Sequence, residues 1–376
     1  GTEEHLWSSN YDSRLDDIFA IQTDVASKVA ASLSAGLFFS PAPRKETSSV
    51  EAYTLYLRAM QLSYDGTEPG LREAVALLQR AISMDPTFAR AYAGLAEAWE
   101  GLALNGYEEF AVAMERAEPA AQRALDLEPD MAEVHAAMAG VHSMMDRFDQ
   151  ALAEAEAAIG INPNLSDAYI SLGVLDSIRR TVDDALPIFK RAYELDPLSM
   201  AAGELLAMAA QVAGETELAR DVLTRMMEVS PRSPRILASF ASYHARRGEF
   251  EEAQRMLDRA SEISPGEPVV QFTQGLLFAS AGRRAEAEAT LGQILSHENE
   301  SVRLTGKLWI QAALGNLDEA FDALMKLAET HSWPFLIGSD PVYAGMRRDP
   351  RYLEFRRRVG LEGRSRPPER PARAAN

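Results

Sequence analysis

The residues most able to carry chemistry in this chain are its six histidines, because it has no cysteine. Disulfides, thiolate metal sites and a cysteine nucleophile are therefore excluded. His135 and His142 are seven residues apart and share a helix face. A metal site needs i, i+4 spacing or a third ligand, and no acidic residue completes the set. We interpret both histidines as packing residues.

Motifs for other chemistry are also missing from the sequence. It contains no glycine-rich phosphate loop and no nucleophile elbow. Paired carboxylates such as Glu108 and Glu109 are better explained as helix starts or solvated faces. We therefore predict no cofactor, no metal and no enzyme activity within this chain, which can still be the non-catalytic part of a larger enzyme.

Composition indicates a soluble protein without a nucleic-acid or membrane partner. The apolar fraction is 47% and the net charge is −18, which argues against binding to phosphate backbones. No run of 18 apolar residues exists, so we expect no membrane insertion. From Trp333 to the end, ten arginines and five acids give a balance of +5, which leaves −23 for the rest. The acidic body and basic end could pair within or between molecules.

A strict 34-residue period organises the middle of the chain. It is marked by five prolines, each ending a helical stretch: Pro129, Pro163, Pro197, Pro231 and Pro265. Twelve residues before each proline is an alanine, and the series continues through Ala287 and Ala320. Small residues at fixed places let helices approach closely. The pattern predicts stacked helix pairs, because one pair cannot bury its apolar face alone.

Aligning the prolines gives eight units over residues 51–332, and these resemble the tetratricopeptide repeat (TPR) family. The resemblance rests on the period, the small residues, the terminal prolines and the turn glycines Gly214, Gly248, Gly282 and Gly315. It implies an all-α, right-handed α-solenoid with a protein-binding concave face. The second unit is nine residues too long near Leu104 to Phe110, which we interpret as a drifted loop, with partner contact as the alternative.

Segments outside the repeats have their own predictions. Residues 1–40 contain an amphipathic helix from Asp16 to Leu37, which we expect to dock on the first repeats, and residues 41–50 are a linker. Residues 333–361 are predicted to cap the last repeat, with a helix from Pro350 to Val359. Residues 362–376 are rich in Pro and Arg, so we expect disorder.

Residues 6–33, 51–62 and 347–361 are similar to stretches of large bacterial proteins that join a TolB-like α/β module to a TPR array. The resemblance implies that residues 1–40 are the remnant of that module. It also implies a class III adenylate cyclase, winged-helix or kinase domain upstream, whose motifs this chain lacks. We expect a bacterial cytoplasmic location, or the soluble part of a membrane-attached protein.

We predict that the concave face binds a peptide or partner protein. The usual lining positions carry mainly small and apolar residues, and the candidate anchors are Ile170, Val174, Ile178, Leu205, Met208, Phe272 and Leu276. Each buried apolar anchor contributes about 1.5–3 kcal/mol before ordering costs. Two alternatives remain: a self-associating module, and the regulatory part of a larger cyclase, kinase or transcription regulator.

Overall fold

A computed structural model describes residues 47, 49–64 and 66–361, and within these ranges the regular structure is entirely helical. Sixteen helices form eight consecutive pairs, which confirms the predicted α-solenoid. Their bounds are α1 Val50–Tyr64, α2 Glu68–Met84, α3 Ala89–Leu104, α4 Phe110–Leu127, α5 Ala132–Met144, α6 Phe148–Ile161, α7 Ser166–Arg179, α8 Val182–Leu195, α9 Met200–Ala213, α10 Thr216–Val229, α11 Pro234–Arg246, α12 Phe250–Ile263, α13 Pro268–Ser280, α14 Arg284–Ile294, α15 Glu300–Leu314 and α16 Leu317–Glu329.

The repeating alanines are the contact points of the helix pairs. All eight, one in each second helix, are completely buried: Ala74, Ala117, Ala151, Ala185, Ala219, Ala253, Ala287 and Ala320. In two first helices a glycine allows the same close approach of a neighbouring side chain. A Cβ on Gly173 would lie 2.6 Å from the Phe189 ring, and one on Gly275 would overlap Ile310. Each first helix also packs on the first helix of the next pair, so the repeats share one core.

Helix ends follow from local backbone preferences. The residue before each repeat proline leaves the helical region; Asn162, for example, has φ −132° and ψ 97°. Steric clash with the proline ring disfavours helical geometry at that position. The turns inside the later pairs use glycine in the left-handed region, as predicted, with φ from 74° to 82° at Gly282, Gly248, Gly315 and Gly214.

The additional residues of the second unit reach across to the far end of the array. The loop between α3 and α4 meets the amino ends of α11, α13 and α15. Tyr107 donates a hydrogen bond to Glu267 at 2.7 Å, and Asn299 donates one to the Gly106 carbonyl at 3.2 Å. Val302 lies where a Cβ on Gly106 would be. The loop is thus an intramolecular clamp that holds repeat 2 against repeats 6 to 8.

Arg235 is the charged centre of this clamp. Its guanidinium donates to both carboxylate oxygens of Glu204, at 3.0 and 2.6 Å, and also to the side chain of Asn105. Bidentate pairs of this kind are the stronger form of ion pair. The arginine therefore ties α9, α11 and the α3–α4 loop together, and the superhelix closes on itself.

After α16 the chain turns back over the array. It forms a 3₁₀ turn at Pro341–Tyr343, then α17 (Ala344–Arg347) and α18 (Arg351–Arg358). Arg351 stacks on Phe321 of the last repeat, 4.4 Å from the ring centre, and Phe355 is completely buried. The predicted amino-terminal helix and the predicted disordered tail lie outside the described residues. None of the described helices has the length and hydropathy needed to cross a membrane.

Candidate functional site

An apolar surface lies on the inner face between α7 and α9, one of three places in the array where neighbouring first helices approach less closely than the others do. Ile170, Val174 and Ile178 form a stripe on α7, because residues four apart share a helix face. Leu205 and Met208 of α9 face the same apolar cluster. Ile178 belongs to the adjoining cluster, which shares Val174 with the first. Five of the seven predicted anchors thus lie side by side, and we call them the α7–α9 groove.

The chain's own residues 333–343, here called the C-terminal segment, fill this groove. Leu336 is 4% exposed and belongs, with Phe335, to the cluster that contains Ile170, Val174, Leu205 and Met208. Trp333 and Ile337 join the cluster that contains Ile178 and the last repeat. The segment is folded into consecutive turns, with backbone hydrogen bonds from Ile337 to Pro334 and from Ser339 to Leu336. This short apolar segment therefore bridges repeat 8 to repeats 4 and 5 through their inner face.

Asp146 holds the start of the C-terminal segment. Its carboxylate accepts a hydrogen bond from the Trp333 indole at 3.1 Å and lies 2.7 Å from Nδ1 of His331. Burial raises the pKa of the Asp146 carboxyl, and the bonds to His331 and Trp333 oppose that rise. Asp146 has φ 57° at the turn position where later repeats have glycine. A non-glycine residue in this region is strained, which marks the contact as a specific one.

Two further polar contacts hold the other end of the segment. The Ser339 hydroxyl accepts a hydrogen bond from the Val182 amide at 3.1 Å, which satisfies a donor at the start of α8 that has no partner within the helix. Asp340 pairs with Arg246, the last residue of α11, at 2.6 Å. The segment is therefore anchored at the carboxyl ends of α5 and α11 and at the amino end of α8.

The two remaining predicted anchors lie elsewhere. Phe272 is 9% exposed and packs with Trp309, their ring centres 5.8 Å apart, so it belongs to the contact between repeats 7 and 8. Leu276 is half-buried on α13 and is not part of the clusters that hold the C-terminal segment. Both occupy lining positions of the repeat, but they lie outside the α7–α9 groove.

Sequence reasoning also missed the charges of the inner face. Glu97 and Glu100 of α3, Glu133 of α5 and Asp167 of α7 line it, and we call these four the inner acidic wall. Burial raises the pKa of Glu100 to about 8. Burial, and then the charges of Asp167, Glu100 and Glu133, raise the pKa of Glu97. The inner face therefore carries acidic charge in repeats 2 to 4, beside the small and apolar lining positions. The signal was the helical spacing of Glu97 and Glu100.

The histidines do not assemble a metal centre in the described part of the chain, where no group of three potential ligands lies close enough. His135 joins its two helices, with Nδ1 2.6 Å from Glu154 and Nε2 2.7 Å from the Pro129 carbonyl. Burial lowers the pKa of His142, which favours its neutral form.

Structures with the same arrangement of paired helices are already known. One chain of the Cut9–Hcn1 hetero-tetramer of the APC/C superposes with a TM-score of 0.54; the match covers 82% of this chain and 55% of that one at 14% identity. This chain has the fold of a tetratricopeptide repeat array. The match to yeast Tom70 covers 90% of the TPR chain and 74% of the Tom70 chain at 16% identity, with a TM-score of 0.43. No family model matches the sequence.

Among curated proteins, the TPR chain is similar to putative adenylate cyclase 3 of Rhizobium meliloti (strain 1021). The two are 29% identical over 161 residues, which is 40% of this chain. The match spans 26% of the relative's length, so it relates the array to part of a larger protein.

Proposed function

We propose that this TPR array is a protein-interaction module whose α7–α9 groove binds a short apolar segment of a partner protein. The observation that carries the proposal is the seating of the C-terminal segment in that groove, with Leu336 and Ile337 4% and 2% exposed. A short apolar chain folded into turns already fits the site, so a partner needs comparable chemistry. We expect two or three large apolar side chains within five residues, followed by a polar turn.

The energetics favour a regulated and reversible contact. Three well-buried side chains supply about 5–9 kcal/mol from burial, before ordering costs are subtracted. A micromolar complex corresponds to about 8 kcal/mol. A partner must also displace the C-terminal segment, which lowers its apparent affinity by the fraction of molecules whose groove is free. Binding would therefore respond to anything that loosens the segment.

A labelled peptide with the sequence of residues 331–345 serves as the probe. The double variant Trp333→Ala/Leu336→Ala weakens the docking of the protein's own C-terminal segment. Fluorescence anisotropy should then detect binding of the peptide to the free groove. Val174→Glu or Met208→Glu added to that background should abolish it, because a carboxylate would be buried against apolar side chains.

The matched control is Val229→Glu, since Val229 is 48% exposed on α10, away from the groove. It should leave peptide binding unchanged. Equal binding by the Val174→Glu and Val229→Glu proteins, with folding verified by circular dichroism, would reject the α7–α9 groove as the site. If the double variant does not fold, Asp146→Gly provides a milder release of the segment.

A second function is favoured by the sequence match to the putative adenylate cyclase. In that case the array is the regulatory part of a larger protein, and occupancy of the groove is the signal that it transmits. The reading frame upstream of Gly1 tests this alternative, because a cyclase, kinase or DNA-binding domain encoded there supports it. An upstream sequence without an output domain rejects it.

A further inference from the structure

A cleft of about 230 Å³ lies between α8 and α10, the second helices of repeats 4 and 5. These two helices do not pack closely on each other, because each packs on α9, which lies between them. The apolar part of the cleft is formed by Leu206, Leu218 and Val222. None of the five residues of the α7–α9 groove lines this cleft, so it is a separate cavity.

Tyr193 of α8 lines the cleft and carries a hydroxyl group that lacks a partner. The residue is 7% exposed, and its hydroxyl oxygen is buried without a hydrogen bond to any described residue. The equivalent position, four residues before the repeat proline, holds Leu125, Ile159 and Met227 in repeats 2, 3 and 5. Packing of the repeat therefore does not require a hydroxyl there. Buried polar atoms normally have a partner, so this hydroxyl indicates a ligand in the cleft.

The charged side chains of the cleft indicate which charge that ligand carries. Two cations and two acids line it: Lys190, Arg225, Glu194 and Asp221. Both acids already have a cation on their own helix, since Glu194 lies 3.7 Å from Arg191. Asp221 lies 3.3 Å from Arg220. Lys190 and Arg225 form no ion pair with any residue that the structure describes. An ammonium, a guanidinium and a phenol thus offer hydrogen-bond donors to an acceptor from outside the chain.

We propose that the cleft between α8 and α10 binds a small organic anion, a carboxylate with a short apolar body. The carboxylate accepts hydrogen bonds from Tyr193, Lys190 and Arg225, and bonds between ionised groups are the stronger kind. The apolar body lies against the leucine and valine side chains of the cleft. At about 30 Å³ for each water-sized group, the volume holds about eight non-hydrogen atoms. The site is independent of the peptide groove, because the two share no lining residue.

Hexanoate matches this size and chemistry and serves as the probe. Saturation-transfer NMR on the full chain should give a dissociation constant on the order of 1 mM, as expected for so small a ligand. Hexylamine and hexanol have the same body without the negative charge, and they should bind at least about ten-fold more weakly. Inorganic phosphate has the charge without the body, and an equal concentration should not displace hexanoate.

Variants of the lining residues show whether the cleft is the site. Tyr193→Phe should weaken hexanoate binding about ten-fold and leave the thermal unfolding temperature unchanged or higher, because the free protein loses only an unpaired buried hydroxyl. Lys190→Gln/Arg225→Gln should abolish binding. The matched control, Arg116→Gln/Arg123→Gln on α4, removes the same charge from exposed positions and should bind normally.

Four results overturn the proposal. They are the absence of hexanoate binding to the unaltered protein, equal binding of hexanol or hexylamine, displacement of hexanoate by phosphate, and unchanged affinity in Tyr193→Phe. A lower unfolding temperature of Tyr193→Phe also contradicts it, because the hydroxyl then has a partner within the chain.

Discussion

Asp146 offers the sharpest test of how the C-terminal segment is held. Replacing it with glycine removes the hydrogen bonds to Trp333 and His331, and it relieves the left-handed strain at φ 57°. Two hydrogen bonds to a carboxylate contribute about 3 kcal/mol, and relief of the strain returns about 1 kcal/mol. The segment should therefore lose about 2 kcal/mol of docking free energy. The equilibrium constant for opening of the segment should rise about thirty-fold, because about 1.4 kcal/mol changes an equilibrium constant tenfold.

Hydrogen exchange read by mass spectrometry measures this opening directly. Peptides covering residues 333–343 should exchange about thirty-fold faster in Asp146→Gly, while peptides from α1 and α2 should not change. Asp146→Asn should fall between the two proteins, because asparagine tolerates left-handed geometry and keeps an acceptor for the indole. Unchanged protection in Asp146→Gly would show that the apolar contacts alone hold the segment. Faster exchange across the whole array would show a global effect instead.

Three further perturbations follow from the packing and the charges. Glu100→Gln should flatten the pH dependence of stability. The folded chain holds the Glu100 proton with a pKa of about 8 against an ordinary 4.5, so the free energy of unfolding falls as pH rises between these values. The full difference corresponds to about 5 kcal/mol. Glu100 keeps some solvent contact, which weakens this effect. We therefore expect the free energy of unfolding, measured with urea, to be about 2 kcal/mol lower at pH 8 than at pH 5. An equal decline in both proteins would contradict the assignment. Gly275→Val should lower stability by about 1–3 kcal/mol through overlap with Ile310, whereas Gly160→Ala should be neutral or stabilising, as thermal unfolding can check. Arg235→Gln should speed hydrogen exchange of residues 105–109 and lower the free energy of unfolding by about 3 kcal/mol, because Glu204 loses its partner. The control Arg225→Gln, at an exposed position on α10, should change neither quantity.

The repeat architecture was predictable because its determinants are local and periodic. Ala151 and its equivalents recur at a fixed distance from a proline, and all of them are buried as the pattern requires. The turn glycines take the left-handed geometry for which glycine is selected. Interactions within 34 residues repeat eight times, so each copy supports the same interpretation.

Contacts between distant repeats were not predictable, since they depend on how far the superhelix turns per unit. Tyr107 and Glu267 are 160 residues apart, and neither is unusual within its own repeat. The same curvature brings Ile170 and Met208 to the C-terminal segment and leaves Phe272 in the contact between repeats 7 and 8. A signal did exist at Asp146, which replaces the turn glycine of the later units. An acid in a glycine position indicates a contact that compensates the strain.

The central claim is that the C-terminal segment and an external peptide share the α7–α9 groove. Hydrogen exchange of the full chain with and without a saturating, isotope-labelled peptide of residues 331–345 tests it most directly, because the mass label separates the peptide from the protein's own segment. We expect the peptide to speed exchange in residues 333–343 and to leave α7 and α9 protected. Binding of the peptide with no change in the exchange of residues 333–343 would contradict it.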